Sequence, residues 1–446
     1  MKNIKIALWG IPALLTVLWV AAALPFPETL SVIAIRNLLV QYSGVLSLGV
    51  MSVAMILATR AKWIEPWLNG LDKSYRLHKW LGIMVLVTSV VHWFASNAPK
   101  WAVSLGLMEA PERGAPSGAV PDIGAIQAFF NSQRGLAETL GDLPFKILVI
   151  LTVIALVRRI PYKFFAKTHT LLAVTYLAFV FHGTALLDFA AWTQPLGIVV
   201  ALLMVGGVIS ALLALTRQIG RGNRVSGKVE AIRTFPELDA TAVNIAMETG
   251  WNGHEAGQFA FITFDRKEGK HPFTIASAWD PAARSITVIS KALGDYTKFL
   301  PDMLKAGGEA IVEGPYGRFT FEDAKQRQIW IGGGVGITPF IAKMKELAAT
   351  PGTKTIDLIH STKEHSPEAL EMLQSDAEAA GITIHLLVDD RDGFLTGDRL
   401  RDLVPDWKSA SVWFCGPAGF GEALRHDLLA NGFAARDFHQ ELFNMR

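Results

Sequence analysis

Four histidines have the type and spacing needed for chemistry across a membrane. His78 and His92 lie 14 residues apart in LHKWLGIMVLVTSVVHWF, and His169 and His182 lie 13 apart in THTLLAVTYLAFVFHG. An α-helix rises about 1.5 Å per residue, so each pair spans roughly 20 Å, most of a bilayer's apolar core. Imidazole inside hydrocarbon is costly and normally marks function. Pairing His78 with His169 and His92 with His182 puts partners at matching depths, where each pair could grip one heme iron from both faces. Two hemes stacked in this way would carry electrons across a bilayer. The alternative is four polar residues that merely bond neighbouring helices. Periodicity supports the pairing only in part. Fourteen residues at about 100° each return a side chain to within roughly 40° of its starting face, but thirteen leave it roughly 140° away. The second helix must therefore twist, or present its ligands from different sides.

Six apolar spans are available to position these residues, at about 4–24, 38–59, 77–98, 144–157, 168–188 and 195–216. The fourth, LPFKILVILTVIALV, is short for a span. The first could be read as a secretory signal, but its run is long and lacks a cleavage site before Pro25. Lys2 and Lys5 precede span one; Arg60, Lys62, Lys73 and Arg76 lie between spans two and three. Arg158, Arg159, Lys163 and Lys167 lie between four and five, and Arg217, Arg221 and Arg224 follow span six. The alternate loops are poor in Lys and Arg, so both termini are expected to be cytoplasmic. His78 and His169 then fall at the inner face and His92 and His182 toward the outer. The loop 99–143, rich in Pro, Gly and Ala, is expected to cap the far side.

Charge is divided along the 446 residues. Residues 1–217 hold 17 Lys/Arg and 9 Asp/Glu, whereas residues 218–446 hold 25 and 31, so the net charge of +2 hides +8 and −6. The basic residues lie at membrane edges rather than in one patch, which argues against nucleic-acid binding. The single cysteine, Cys415, excludes a disulfide framework, a cysteine-ligated iron–sulfur cluster and covalent heme attachment. No obligatory protein partner is evident.

Beyond a short basic linker, RVSGKVEAI, TAVNIAM, QFAFITF, HPFTIAS, SITVIS and EAIVEG read as strands of a small antiparallel barrel. Among them stand His271-Pro272-Phe273-Thr274, then Lys291-Ala292-Leu293-Gly294-Asp295-Tyr296-Thr297, then Gly314-Pro315-Tyr316-Gly317. From residue 327 strands and helices alternate, which predicts a parallel sheet. A strand runs into Gly332-Gly333-Gly334-Val335-Gly336-Ile337-Thr338-Pro339. Its glycines would let the backbone approach a pyrophosphate, with Thr338 as a helix N-cap and Pro339 as the first helical residue. This is not the GxGxxG fingerprint. After the next strand, His360-Ser361-Thr362-Lys363 offers hydroxyls and a cation where a reader of the 2′-hydroxyl would want an acid. That suits a 2′-phosphate, with Glu364 as a counter-indication. A later strand closes on Trp413-Phe414-Cys415-Gly416-Pro417.

The 14- and 13-residue histidine spacings in a six-span bundle, followed by these motifs in this order, resemble the NADPH oxidase and ferric reductase superfamily, with its fused ferredoxin–NADP reductase-like module. The resemblance implies three parts. These are a membrane all-α six-helix heme bundle (1–217), a cytoplasmic antiparallel β-barrel FAD domain (224–322) and an α/β parallel-sheet NAD(P)H-binding domain (327–446). It implies two b hemes, the inner on His78 and His169 and the outer on His92 and His182. It places Thr274 beside the flavin ring, His271, Pro272 and Phe273 along the cofactor, and Lys291, Gly294 and Thr297 at its ribityl or phosphate part. Many members have Arg where His271 stands. The dinucleotide would lie on Gly332, Gly333, Gly334, Gly336, Thr338 and Pro339. Ser361 and Lys363 would meet its ribose phosphate, and Cys415, Gly416 and Pro417 would border the nicotinamide. Cys415 has no base beside it that would make it a nucleophile. Phe443 is the tail aromatic that would stack on the flavin, although three residues follow it here. The implied activity is electron transfer from cytoplasmic NADPH, or NADH, through FAD and both hemes to an acceptor beyond a bacterial plasma membrane. Oxygen giving superoxide is the expected acceptor; a ferric chelate or a periplasmic protein is the alternative.

Overall fold

The computed structural model describes residues 2–109, 124–157 and 159–441. Phe443 lies outside them. The chain forms two compact units, Met1–Leu68 with Lys73–Ile219, and Asn69–Asp72 with Gly220–Met445.

The first unit is all helical. Its long helices are α1 (Lys2–Ala23), α2 (Val32–Ala58), α3 (Leu71–Ser104), α4 (Ala125–Leu156), α5 (Tyr162–Leu186) and α6 (Pro195–Leu215). All six are long and apolar enough to cross a membrane. In lipid, helices of this kind satisfy every backbone polar group internally, which open loops cannot do. Leu15, Leu48, Val50, Leu81 and Val200 fill the interior, while Leu202, Val205 and Ile209 are exposed on the outside. An apolar exterior of this kind is the face an integral membrane protein turns to lipid.

Two helices differ from the sequence reading. The short fourth span is part of a 32-residue helix, α4, roughly 48 Å long and well beyond a 30 Å hydrocarbon core. Its first half is polar and continues as helix because i,i+4 pairs support it: Arg134–Glu138 at 3.5 Å and Asp142–Lys146 at 2.7 Å. The expected loop 99–143 is therefore helical over 99–104 and 125–143.

In the second unit, β1 (Arg224–Phe235), β2 (Ala240–Met247), β3 (Phe259–Thr263), β4 (His271–Thr274), β5 (Ser285–Lys291) and β6 (Glu309–Tyr316) form an antiparallel sheet ordered β4-β3-β6-β1-β2-β5. A bridge from Ile275 to Val288 brings its two ends together. Residues of β2 alternate between half-buried and buried, the period-two signature of a strand with one face on a core. Helix α7 (Asp295–Met303) lies between β5 and β6.

A second sheet is parallel, ordered β11-β10-β7-β8-β9. Its elements run β7 (Arg327–Gly333), α8 (Thr338–Ala349), β8 (Thr355–Thr362), α9 (Pro367–Ala379), β9 (Thr383–Val388), β10 (Ser411–Cys415), α10 (Ala418–Ala430) and β11 (Phe438–Gln440). Its central strands are buried almost continuously because helices cover both faces. The chain leaves β7 in one direction for β8 and returns on the other side at β10. A reversal of this kind opens a ligand crevice at the carboxyl ends of the strands.

Candidate redox and dinucleotide sites

The histidines meet as the spacing predicts. His78 faces His169 with ring centroids 5.8 Å apart, and His92 faces His182 at 6.1 Å. Two imidazoles sharing one metal would have centroids roughly 6 Å apart, from about 2 Å per metal–nitrogen bond plus the ring radii. Helix α5 runs unbroken from Tyr162 to Leu186, so the 13-residue spacing is met by ligands leaving different sides of a regular helix.

Ring orientation is fixed by backbone. His78 Nδ1 donates to Ala54 O at 2.9 Å, His92 Nδ1 to Val40 O at 3.0 Å, and His182 Nδ1 to Ala137 O at 2.8 Å. A carbonyl can only accept, so these bonds put the proton on Nδ1 and leave Nε2 a lone pair for a metal. His169 Nδ1 is buried with no hydrogen-bond partner among the described residues. Helices close in on the outer pair through glycine. A Cβ at Gly141 would fall 2.5 Å from His182 Cε1, and one at Gly44 would fall 3.2 Å from His92 Cε1. The paired rings, the tautomers and the absent side chains together fit bis-histidine heme. Among the described residues no group of three or more His, Cys, Asp or Glu could hold a metal ion.

In the second unit, His271-Pro272-Phe273-Thr274 forms the edge strand β4. Thr274 is buried, and Phe273 sits in the barrel core against Phe264. His271 stacks on Tyr296 with centroids 3.9 Å apart and planes within 7°. Burial pushes the Tyr296 hydroxyl up to about 12. Gly294 caps α7, and Thr297 Oγ1 accepts from the Leu293 and Gly294 N–H groups at 3.1 and 3.0 Å. Lys291 Nζ pairs with the Glu364 carboxylate, which follows β8.

The glycine-rich turn and the Cys-Gly-Pro turn come together at the strand ends. Cys415 lies level with Gly332 across the β7–β10 pair. A Cβ at Gly336 would fall 2.2 Å from Cys415 O, and one at Gly333 would fall 2.9 Å from Pro417 Cδ. His360 is buried beneath this turn, its Nδ1 donating to Gly332 O at 3.0 Å; burial lowers it to about 4, so it is neutral. Thr338 is not the N-cap. The tight turn Gly334–Ile337 winds directly into α8, Ile337 takes the cap position, and Thr338 Oγ1 donates to Val335 O at 2.7 Å. Pro339 remains in the first turn. Cys415 is fully buried, and burial, with Glu441 adding to it, pushes its thiol up, which makes a thiolate nucleophile unavailable. Ser361 Oγ donates to Asp389 Oδ1 at 3.3 Å, Thr362 Oγ1 donates to Glu364 O at 2.6 Å, and Lys363 is exposed.

Residues 43–180 match the sequence model of the ferric reductase like transmembrane component, and residues 228–320 match that of a FAD-binding domain. The two matches follow one another in the order that the resemblance to the NADPH oxidase and ferric reductase superfamily implies. The chain is 26% identical over 205 residues to the glycine betaine monooxygenase reductase subunit of Chromohalobacter salexigens, covering 42% of this chain and 55% of that protein. It is 24% identical over 165 residues to a flavohemoprotein of Oceanobacillus iheyensis, covering 34% and 40%. The chain thus spans about half the length of the curated relatives it matches. A solved ferredoxin NADP+ reductase from Neisseria gonorrhoeae with bound FAD and NADP resembles it with a TM-score of 0.41 at 16% identity, covering 49% of this chain and 98% of that one.

Sequence reasoning missed several residues that the fold brings to these sites. The carbonyls of Val40, Ala54 and Ala137 carry no residue signal, because every residue has a carbonyl. Tyr296 was part of a quoted motif, yet only the fold reveals its stack on His271. Arg36 carries no site signal in the sequence, but its Nη2 donates to Ser96 O at 3.3 Å, one turn beyond His92.

Proposed function

We propose that this chain is a transmembrane NAD(P)H oxidoreductase that passes electrons from cytoplasmic NADPH to oxygen on the far side of a bacterial plasma membrane, giving superoxide. The observation that carries this reading is the pair of facing imidazole sets at two levels, with three of the four rings held by backbone carbonyls. In this reading residues 1–217 are the heme domain, 224–322 the flavin domain and 327–446 the nucleotide domain, with both termini cytoplasmic.

His78 and His169 would hold an inner heme and His92 and His182 an outer one. Arg36 would offer the outer one a cation for a carboxylate. FAD held by the flavin domain would supply hydride-accepting chemistry, and hemes held by the two histidine pairs would supply one-electron chemistry. Thr274 would hydrogen-bond the flavin, with Pro272 and Phe273 shaping that edge. The Gly294 and Thr297 turn, with Lys291, would face the phosphates. The backbone at Gly332, Gly333, Gly334 and Gly336 would cradle the dinucleotide, with Thr338 and Pro339 opening the helix behind it. Gly416 and Pro417 would flank the nicotinamide beside Cys415, a small buried filler. Phe443 would cover the flavin. Ser361 and Lys363 would meet a 2′-phosphate, NADH being the alternative donor. With both histidines of each pair engaged, this chain would leave the acceptor no ligand position on the metal.

Reduction of a ferric chelate is the second reading, favoured by the ferric reductase match over residues 43–180. Purified protein supplied with NADPH decides between them. Oxygen consumption with cytochrome c reduction that superoxide dismutase abolishes supports the oxidase. Ferric chelate reduction insensitive to the dismutase supports the reductase. Failure of both points to a protein acceptor.

A further inference from the structure

Helix α2 contributes no metal-ligating residue, yet it bonds to both histidine-bearing helices. Besides accepting from His92 Nδ1 through Val40 O, it places Ser43 Oγ 3.2 Å from that nitrogen. Ser47 Oγ donates to Thr88 Oγ1 on α3 at 2.9 Å. Ser52 Oγ lies 2.8 Å from the Tyr176 hydroxyl on α5, and Ala54 O orients His78. Ser43, Ser47 and Ser52 are all buried.

Tyr176 is fully buried. It follows His169 by seven residues and precedes His182 by six, so it sits roughly 10 Å and 9 Å along the helix from them, between the two metal levels. Its hydroxyl also reaches Met204 O at 3.3 Å on α6. That helix makes room for it at Gly207, where a Cβ would fall 2.0 Å from the hydroxyl oxygen. Packing alone does not call for this group, since phenylalanine has nearly the same volume. A hydroxyl in an apolar interior is costly unless it is bonded.

We propose that the Ser52–Tyr176 bond locks the register of α2 against α5. Because α2 orients both imidazoles of α3, the bond would set the facing geometry of both histidine pairs at once. Tyr176 is a positioning residue, with its hydroxyl on Ser52 and Met204 rather than on either pair. The inference rests on the two-heme reading.

The test uses purified, heme-loaded protein. Pyridine hemochromogen first counts hemes in the wild type; fewer than two overturns the two-heme reading and this inference with it. With two hemes present, Tyr176→Phe and Ser52→Ala should each move both low-spin electron paramagnetic resonance signals while the count stays at two. The double variant should move them no further than either single one. Ser210→Ala removes another buried hydroxyl, which donates to Gly206 O of its own helix at 2.7 Å, and should leave both signals in place. Unmoved signals in the single variants, movement at one level only, or an equal shift in Ser210→Ala overturns the lock while sparing the two-heme reading. Should Tyr176→Phe fail to fold, Ser52→Ala reads the same bond from its other end.

Discussion

His92 and His182 face each other 6.1 Å apart among apolar helices, whereas Gly333 and Gly336 press against Cys415, Gly416 and Pro417 at the ends of two parallel strands. In the first region the chemistry depends on side chains that are present. In the second it depends on side chains that are absent. The reason is the ligand each would take. An iron needs donor lone pairs at a fixed separation, and only a side chain can reach out from a helix to supply them. A dinucleotide phosphate is met by backbone N–H groups, and any Cβ in the way keeps it out. Loss of atoms should therefore disable the membrane unit, and gain of atoms should disable the soluble one.

The largest expected effect comes from deletion in the membrane. His92→Ala or His182→Ala should lower the heme count from two to one per chain and abolish reduction of the far-side acceptor, leaving NADPH-driven flavin reduction intact. A folded variant that still reduces that acceptor at the original rate would reverse the assigned order. Addition in the soluble unit ranks next. Gly336→Ala sets a Cβ against the Cys415 carbonyl, backbone that cannot swing aside. Overpacking of this kind costs about 1–3 kcal/mol, a loss of roughly 5- to 150-fold in nucleotide affinity or the equivalent in unfolding free energy. Both heme spectra should be untouched, and tight nucleotide binding with unchanged stability would show that the turn tolerates a side chain.

Thr274→Ala tests a side chain in the region where backbone dominates. Loss of one hydrogen bond to flavin, about 0.5–1.5 kcal/mol net, should weaken FAD retention or slow its reduction several-fold. Stopped-flow hydride transfer at wild-type rate would reduce this strand to scaffolding. Lys363→Ala should have the smallest effect. An exposed charge–phosphate contact contributes on the order of 1 kcal/mol, so the KM for NADPH should rise roughly fivefold, that for NADH should hardly change, and the difference should fade in salt. Equal wild-type efficiency with both nucleotides would mean that no phosphate is read there.

The same contrast governs how much was legible in the sequence. Histidine in an apolar run is rare enough to announce itself, so the pairing of His78 with His169 and of His92 with His182 was readable from spacing. The barrel strands and the parallel sheet followed from period-two alternation and from strand–helix alternation. The polar half of α4 was not readable, because Arg134, Glu138 and Asp142 look like loop composition until the pairs Arg134–Glu138 and Asp142–Lys146 are seen. The misplaced cap at Thr338 has a local cause: a tight turn before a helix moves the first helical residue forward without changing the motif. The role of α2 was hidden because its contributions are carbonyls and serines, and serine in a membrane helix usually bonds only its own preceding turn.

The unbroken course of α5 between His169 and His182 has a consequence for changes in chain length. One residue inserted between them would turn His182 by about 100° and carry it about 1.5 Å along the axis. It would leave the Ala137 carbonyl and its partner ring, and no neighbouring residue could take its place. Between the two histidines the helix therefore tolerates a change of side chain better than any change of length.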